Sequence, residues 1–310
     1  MSISRPRRVA SIDVGTNSVR VLLAEVGPAG ALRTRLRQGT ITRLGQGMVA
    51  TGAISDAARQ RTIDAVRNFV EEAEYGGAQD IVITGTSAFR EATNGGEVAQ
   101  SIAAAVGYEV RILSGEEEAR MVFAAVAGDH PGSCVVIDIG GGSTEVIARD
   151  ADAWWVRSMP LGAVSMTEQF LTSDPPPAHE RQALLAHVAA SLTAHLASFQ
   201  PPDGAVVYGV GGTVTALAAV HKGLTRYDPA AIEGEVIPLP RMVEIAESLW
   251  RLPVTQREVI PGVNSGRADI ILAGSTILLA LLDRLGVRQL TASTRGLRYG
   301  ILYDLLARDA

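Results

Sequence analysis

The sequence predicts an α/β protein made of two related folding units, with helices packed on sheets. Segments with the hydrophobic spacing of strands and of helices alternate along the chain, which is typical of this class. The length of 310 residues corresponds to about two domains. The segments IDVGTNS (12–18) and IDIGGGS (137–143) share the pattern Ile-Asp-x-Gly-x-x-Ser in matching strand contexts, which indicates an internal repeat.

The first half of the chain alternates strands and helices. Residues 56–75 are predicted to be helical because Ile63, Val66 and Val70 recur at helical spacing. Gly107 is placed to end a second helix, since glycine readily adopts the left-handed conformation found at helix C-termini. The predicted strands are VASIDV (9–14), VRVLLAEV (19–26), IVITGT (81–86) and YEVRIL (108–113), and the further helices are 98–107 and 115–127.

The second half repeats this alternation. Its proline-rich pieces, DPPPAH and QPPDG, are predicted to be loops within the unit, because proline interrupts both helices and strands. The predicted strands are CVVIDIGGG (134–142), STEVIARD (143–150), WWVRSMPLG (154–162), AVVYGVGG (205–212) and QLTAS (289–293). The predicted helices are 163–171, 179–199, 213–221, 241–251, 266–285 and a final one after the last strand.

Composition narrows the classes of function. A net charge of −5 and a pI of about 5.6 argue against nucleic acid as a partner, but not against a small anion held in a local site. The single cysteine, Cys134, cannot form an internal disulfide, which favours a reducing compartment. The longest apolar stretch, ILAGSTILLALL, is shorter than the roughly 20 residues that span a bilayer, so we expect a cytoplasmic protein without a membrane partner. The five histidines lack zinc-site spacing.

Two glycine turns connect strand to strand, and a third glycine pair precedes a helix. Glycine leaves no side chain in the way, so backbone N–H groups can converge on an anion. The third site, at 211–213, is predicted to use the N-terminus of the helix that follows. From these turns we predict phosphate binding by Asp13, Gly15, Thr16, Asn17, Ser18, Gly140, Gly141, Gly142, Ser143, Thr144, Gly211, Gly212 and Thr213.

An aspartate ends the strand before each of the first two turns. A carboxylate beside bound phosphate would repel it, and Mg²⁺ is the usual cation that bridges the two. The alternative is that Asp13 and Asp138 only accept hydrogen bonds from turn amides.

The segment SGEEEAR (114–120) carries three consecutive acids. Ser114 and Glu117 form a predicted capping box, and Glu116 is placed to pair with Arg120 one helical turn later. Glu118 has neither local role, which makes it a candidate base for activating a water molecule. The alternative for all three acids is a favourable interaction with the positive end of the helix dipole.

The motif TSAFREATNG (86–95) supplies a candidate cation. The planar guanidinium of Arg90 is suited to neutralise a phosphoryl group, and the alternative is a surface ion pair.

Six motifs, in order, cover nearly the whole chain and together resemble the exopolyphosphatase/guanosine pentaphosphatase (Ppx/GppA) family of the actin-like ATPase, sugar kinase and Hsp70 superfamily. They are IDVGTNS, TSAFREATNG, SGEEEARMVF, IDIGGGSTE, GVGGTVTAL and TASTRGLRYGIL. The resemblance implies two actin-like (ribonuclease H-like) domains, 1–125 and 126–310, with a catalytic cleft between them. It also implies exopolyphosphatase activity, with inorganic polyphosphate or guanosine pentaphosphate as substrate, and is compatible with a homodimer.

The resemblance assigns roles to individual residues. It implies that Glu118 is the general base, that Arg90 binds phosphate, and that Asp138 and Glu145 serve Mg²⁺ or catalysis. Residues 13–18 and 140–143 match the two phosphate loops. Longer members of the family carry extra C-terminal helical domains that help to hold a long polymer, and this chain stops at Ala310. Its chain-length preference is therefore open.

Two other functions fit the same residues. A kinase of this superfamily would use the turn at 211–213 for a nucleotide and would need an acceptor hydroxyl. A non-catalytic sensor of guanosine tetraphosphate or polyphosphate would bind without releasing phosphate, and the presence of both Glu118 and Arg90 argues against it.

Overall fold

The computed structural model describes residues 6–151, 153–263 and 266–308. Its contacts divide the chain into two compact units, each with one sheet. The first contains the chain up to residue 125 together with the segment that begins at Leu297, and the second contains 126–296. Within the described residues, no helix combines the length and apolar character needed to cross a membrane.

The sheet of the first unit has five strands in the order β3-β2-β1-β4-β5. Strands β1, β2 and β3 pair antiparallel to one another, and β1, β4 and β5 are parallel. Strand β1 is buried almost throughout, which explains its nearly continuous apolar sequence. The strands are β1 (Arg8–Val14), β2 (Ser18–Val26), β3 (Leu32–Ile41), β4 (Asp80–Gly85) and β5 (Val110–Ile112).

Helices cover both faces of this sheet. On one face, Val66 and Phe69 pack with Val21 and Ile83 in the core. On the other face, Tyr299 and Leu302 of the last helix pack on Leu22 and Ala24. The helices of this unit are α1 (Met48–Thr51), α2 (Asp56–Tyr75), α3 (Ser87–Glu91), α4 (Gly95–Val106), α5 (Gly115–Ala127) and, from the end of the chain, α13 (Leu297–Arg308).

The second unit has a six-stranded sheet in the order β10-β11-β9-β6-β7-β8. Its strands β6, β9 and β11 are parallel, and β6, β7 and β8 form an antiparallel meander. Those strands are β6 (Cys134–Ile139), β7 (Thr144–Asp150), β8 (Ala153–Met159), β9 (Val206–Val210), β10 (Val236–Pro238) and β11 (Gln289–Ala292). The helices are α6 (Ala163–Phe170), α7 (Ala178–His195), α8 (Gly211–His221), α9 (Pro229–Ile232), α10 (Leu239–Trp250), α11 (Val254–Arg257) and α12 (Ile271–Arg284).

The two sheets repeat one strand order, because β8-β7-β6-β9-β11 corresponds to β3-β2-β1-β4-β5. The correspondence extends to single hydrogen bonds. The amide of Leu113 donates to the carbonyl of Gly85 at 2.9 Å, and the amide of Ser293 donates to Gly209 at 2.8 Å. The repeated sequence pattern therefore marks a repeated fold, as predicted.

The predicted elements are largely confirmed. The sequence reasoning missed strands β3 and β10 and the short helices α1, α3, α9 and α11. It also placed all of 126–310 in the second domain, whereas the contacts assign α13 to the first unit. The physical reason is that α13 covers the apolar face of β2, and its Arg298 carbonyl accepts from the buried Ser11 hydroxyl at 2.8 Å.

We expect Gly300→Ala to lower the midpoint of thermal unfolding. A Cβ at this position in α13 would overlap the carbonyl oxygen of Met121 in α5, and such overpacking costs about 1–3 kcal/mol. Gly96→Ala in α4 is the matched control, because a Cβ there meets nothing within 4 Å and alanine favours the helix by up to about 1 kcal/mol. A Gly300→Ala protein as stable as the wild type would contradict this packing.

Candidate active-site groups of the two units

In the first unit, parallel strands bring the candidate groups to one edge of the sheet. The carboxyl ends of β1, β4 and β5 lie side by side. Asp13 lies near the end of β1, Arg90 is in the helix that follows β4, and Glu118 is in the helix that follows β5. The carboxyl ends of strands are where ligands bind in open α/β sheets.

The carbonyl oxygens of the turn between β1 and β2 accept hydrogen bonds from backbone amides of the same unit. The turn is closed by the amide of Gly15 donating to Ser18 at 3.1 Å. The carbonyl of Thr16 accepts from Gly45 at 2.9 Å, and that of Asn17 accepts from Thr42 and Arg43 at 3.1 and 2.9 Å. In a planar trans peptide the N–H points opposite to the C=O, so the Asn17 amide is directed away from residues 42–45. The turn thus presents donors rather than acceptors on its other side.

Asp13 is buried, with 9% of its surface exposed. Burial raises the pKa of its carboxyl above the ordinary value of 3.8, and the charges of Arg20 and Arg298 oppose this rise. Arg20 lies directly opposite Asp13 in the β1–β2 ladder. Arg298 is itself buried at the start of α13, where it donates to the carbonyls of Val21 and Gln38, both at 3.3 Å.

Glu118 and Arg90 form an ion pair of 2.9 Å. Only 12% of the Glu118 side chain and 22% of the Arg90 side chain are exposed, so the pair is largely shielded from solvent. The same Arg90 nitrogen donates to the carbonyl of Leu113 at 2.8 Å, which fixes its position at the end of β5. The cation and the carboxylate that were singled out separately in the sequence therefore lie together.

The neighbouring acids have the structural roles that the sequence predicts. The capping box is confirmed, since Glu117 accepts from the Ser114 amide at 2.9 Å and its own amide donates to the Ser114 hydroxyl at 3.2 Å. The Ser114 amide, followed by Arg111 and the Ser114 hydroxyl, lowers the pKa of Glu117 to about 2. Glu116 pairs with Arg120 at 2.9 Å, also as predicted.

In the second unit, the turn between β6 and β7 repeats the first. The amide of Gly140 donates to Ser143 at 2.9 Å, and the carbonyls of Gly140 and Gly141 accept from Ala163 and Val164 at 2.9 and 2.8 Å. By the same planarity argument, the amides of Gly141 and Gly142 point away from α6. The turn lies tightly against Gly162, where any Cβ would overlap Gly141 and Gly142.

Asp138 and Glu145 lie directly opposite each other in the β6–β7 ladder. Two carboxylates in this arrangement destabilise a sheet unless a cation lies between them. Glu145 is 1% exposed and accepts from the Ser158 hydroxyl at 2.7 Å. At the equivalent position of the first unit, Asp13 faces Arg20 instead. The acid pair suited to a divalent cation is thus a property of the second turn.

The predicted third site lies at the N-terminus of α8. Gly211 has a φ of +93°, and a Cβ there would lie 2.5 Å from the Ile139 carbonyl oxygen and 3.0 Å from Asp138 Oδ1. A Cβ on Gly212 would lie 2.6 Å from Nε of Arg267, so this guanidinium rests directly on the glycine. A helix N-terminus and a guanidinium both attract anions.

Two predicted phosphate ligands, Thr144 and Thr213, have buried side chains. The Thr144 hydroxyl donates to the Leu161 carbonyl at 2.5 Å. The Thr213 hydroxyl lies against Gly274 of α12, where a Cβ could not be accommodated. Both residues are buried, and the Thr144 hydroxyl proton is used within the unit, so Thr144 offers a phosphate only its position in the backbone.

Four residues of these sites were missed by the sequence reasoning: Arg20, Ser158, Arg267 and Arg298. Arg20 and Ser158 follow from strand register, which becomes visible only when the partner strands are known. Arg298 lies in TASTRGLRYGIL, a motif that was recognised but not assigned a role. No sequence pattern pointed to a functional role for Arg267, because the segment around it was interpreted only as part of a helix.

Comparison with known proteins adds three relatives and a family match. The sequence profile of the Ppx/GppA phosphatase family matches residues 24–309. Exopolyphosphatase 2 of Mycobacterium tuberculosis is 34% identical, over 96% of this chain and 98% of that protein. A guanosine-5′-triphosphate,3′-diphosphate pyrophosphatase of Aeromonas hydrophila is 31% identical, over 97% of this chain but 60% of that longer protein. The crystal structure of the Aquifex aeolicus Ppx/GppA family member matches with a TM-score of 0.81 and 30% identity, covering 99% of this chain and all of that one. The two-domain actin-like architecture is therefore confirmed.

We expect Asp13→Asn to stabilise the fold at neutral pH. Because burial raises the folded-state pKa, the folded protein binds the Asp13 proton more tightly than the unfolded chain. The ionised group therefore lowers the free energy of unfolding progressively as the pH rises above 3.8. The wild-type minus variant difference in unfolding midpoint should be more negative at about pH 7 than at about pH 4. An equal difference at both values would show that Asp13 does not carry this penalty.

Proposed function

Because the chain belongs to the Ppx/GppA phosphatase family, we propose that it is an exopolyphosphatase that hydrolyses the terminal phosphoanhydride of inorganic polyphosphate and releases orthophosphate. Support comes from the relative named Exopolyphosphatase 2, which matches along almost its whole length. The reaction class, phosphoanhydride hydrolysis, also agrees with the name of the Aeromonas hydrolase.

The observation that carries the proposal is the shielded ion pair of Glu118 and Arg90 at the carboxyl edge of the first sheet. Hydrolysis needs a group that accepts a proton from water and a cation that stabilises the charge on the transferred phosphoryl oxygens. The pair supplies both at a separation of 2.9 Å.

In the proposed reaction, Glu118 positions a water molecule and accepts one of its protons as the water oxygen bonds to the terminal phosphorus. The P–O bond to the bridging oxygen breaks, and the shortened chain leaves with the electron pair on that oxygen. Arg90 is held by the Leu113 carbonyl, so its remaining N–H groups are pre-oriented towards a phosphoryl group. Fixed donors of this kind contribute most when they need no reorganisation during the reaction.

The two turns bind the phosphates in this proposal. Their carbonyls are bonded to residues 42–45 and 163–164, so the amides of Asn17, Gly141 and Gly142 point to the opposite side of each turn. Asp13, Gly15, Thr16, Ser18, Gly140 and Ser143 shape these turns, and Gly211 and Gly212 offer the N-terminus of α8. Arg267 adds a positive charge at that helix end.

Mg²⁺ is the proposed cofactor, held by Asp138 and Glu145. The residues fit this ion, since two opposed carboxylates, one of them fixed by Ser158, match a site completed by phosphate oxygens and water. When bound, the ion would neutralise phosphate charge and offset the repulsion between substrate and carboxylates. A cytoplasmic location completes the proposal, consistent with the buried free thiol of Cys134, and a homodimer stays a prediction.

Guanosine pentaphosphate is the second candidate substrate. The match to the Aeromonas pyrophosphatase favours it, because guanosine pentaphosphate also presents a terminal phosphate to the same groups. Phosphate release from tripolyphosphate, long-chain polyphosphate and guanosine pentaphosphate, each with and without Mg²⁺, tests the choice directly. Release from the nucleotide alone would reverse our assignment.

We expect Glu118→Gln to lower kcat by about 10²–10⁴ while leaving polyphosphate binding and unfolding temperature close to wild type, because an amide cannot accept the proton. Glu116→Gln is the matched control. It changes a neighbouring acid of the same helix turn whose side chain is 64% exposed and paired with Arg120. Near-normal turnover by Glu118→Gln, measured as released phosphate, would remove Glu118 from the role of base.

Removal of divalent metal by a chelator should stop phosphate release, and added Mg²⁺ should restore it. We expect Glu145→Gln to need a higher Mg²⁺ concentration for half-maximal rate, because one of the opposed carboxylates is lost. The same variant should bind Mg²⁺ more weakly by calorimetry, which does not depend on turnover. An unchanged Mg²⁺ dependence in both measurements would place the ion elsewhere.

A further inference from the structure

Strand β3 carries a concentration of positive charge that the proposed reaction does not use. Residues 32–43 contain four arginines and no acid, whereas the chain as a whole has a net charge of −5. The strand is the outer member of its sheet, and seven of its ten residues are exposed. The four arginines are Arg33, Arg35, Arg37 and Arg43.

One end of this strand lies at the first phosphate turn. Ile41, its last residue, pairs with Ser18, and the amide of Arg43 donates to the Asn17 carbonyl at 2.9 Å. From there β3 runs back along the sheet edge to Leu32. At about 3.4 Å per residue, the distance from Ile41 to Arg33 is roughly 25 Å. Arg37, Arg35 and Arg33 therefore follow one another along the strand at increasing distance from the turn.

The charge at the far end of the strand is only partly neutralised. Arg35 pairs with Glu25 at 2.5 Å, and Arg8 approaches the same carboxylate at 3.6 Å. Arg33 lies opposite Glu25 in the ladder, so three arginines surround one acid. The hydrogen bond from Arg35, together with the charges of all three, lowers the pKa of Glu25 and keeps it ionised.

The free edge of β3 is irregular and adjoins a depression. A β-bulge at Leu23 and Ala24 makes Arg35 the extra residue on β3. A depression of about 420 Å³ adjoins the strand here, lined by Arg8, Arg35, Leu36, Glu72 and Tyr75 among others. Nearer the turn, Arg37 lies on the opposite face of the strand, 5.9 Å from the centre of the Tyr299 ring. Positive side chains thus flank the free edge on both faces.

We propose that the β3 edge, from Ile41 to Arg33, holds the distal part of a long polyphosphate chain whose end is bound at the turn of residues 15–18. This rests on the proposed function and adds the substrate class, long rather than short polyphosphate. A linear polyanion matches a line of arginines by charge, and its contacts lie outside the reacting centre. Such contacts raise affinity for long chains without altering the chemical step.

Other occupants fit the edge less well. Single-stranded nucleic acid is usually held by a series of aromatic residues that stack on successive bases. Tyr75 and Tyr299 lie beside β3 on opposite faces and do not form such a series. A second copy of this chain pairing along β3 would bring arginines opposite arginines, which is unfavourable. Charged residues also protect sheet edges from aggregation, but that role needs no particular relation to the turn.

The test uses the full chain and the double variant Arg33→Gln/Arg35→Gln, with rates on long-chain polyphosphate and on tripolyphosphate, which is too short to reach from the turn to Arg33. We expect the ratio of kcat/KM on long-chain polyphosphate to kcat/KM on tripolyphosphate to fall about 5- to 30-fold in the variant. This is the loss expected for two exposed charge contacts. The salt dependence of long-chain binding, measured on the inactive Glu118→Gln background, should become shallower by about 1–2 in log–log slope.

Two control variants separate charge from fold. Arg33→Lys/Arg35→Lys should keep most of the ratio, because the charges remain. Arg59→Gln/Arg67→Gln removes two arginines from α2 in the same unit and should leave the ratio at the wild-type value.

An unchanged ratio and an unchanged salt slope in Arg33→Gln/Arg35→Gln would overturn the inference. So would a change of oligomeric state in sedimentation, or loss of oligonucleotide binding larger than the loss of polyphosphate binding. If the wild type releases no phosphate from either substrate, the proposed function fails. The salt dependence of long-chain polyphosphate binding then still decides whether β3 holds the long chain.

Discussion

The carbonyl oxygens of the two glycine turns accept hydrogen bonds from neighbouring backbone segments of their own units. This constraint decides which side of each turn carries amides. An oxygen left on the outer side would repel phosphate. Residues 42–45 donate to the carbonyls of the first turn and the start of α6 donates to those of the second, so the following amides point to the other side of each turn. Glycine at 15 and 140 allows the same closing bond to the serine three residues later. The supporting segments thus fix the orientation of the turn peptides on which the proposed phosphate binding depends.

The two copies of this hairpin have diverged in charge while keeping their backbone. The residue opposite the aspartate is Arg20 in the first copy and Glu145 in the second. One exchange turns an acid opposite a base into a pair of opposed acids that favours a cation. The repeated fold thus carries different charges at equivalent positions, without any change in strand order.

The sequence predicted the fold well wherever a local pattern carried the information. The helix at 56–75 has helical apolar spacing, and its predicted bounds are those observed. The pattern failed for β3, since LRTRLRQGTI has few core residues and its pairing with β2 is interrupted by a bulge. Glu118 and Arg90 were each identified, but their ion pair depends on β4 and β5 being neighbours. Arg267 and Arg298 stayed hidden because their roles come from tertiary packing alone.

The position of α13 has a consequence for synthesis in the cell. The first unit is built from two stretches separated by the entire second unit, and Leu22 and Ala24 need Tyr299 and Leu302 to cover them. While the ribosome is still translating residues 126–296, this apolar face of the nascent chain has no cover. The N-terminal unit therefore cannot mature as soon as it emerges. Its folding is completed only when the last helix is made, so this apolar surface stays accessible to chaperones during most of translation.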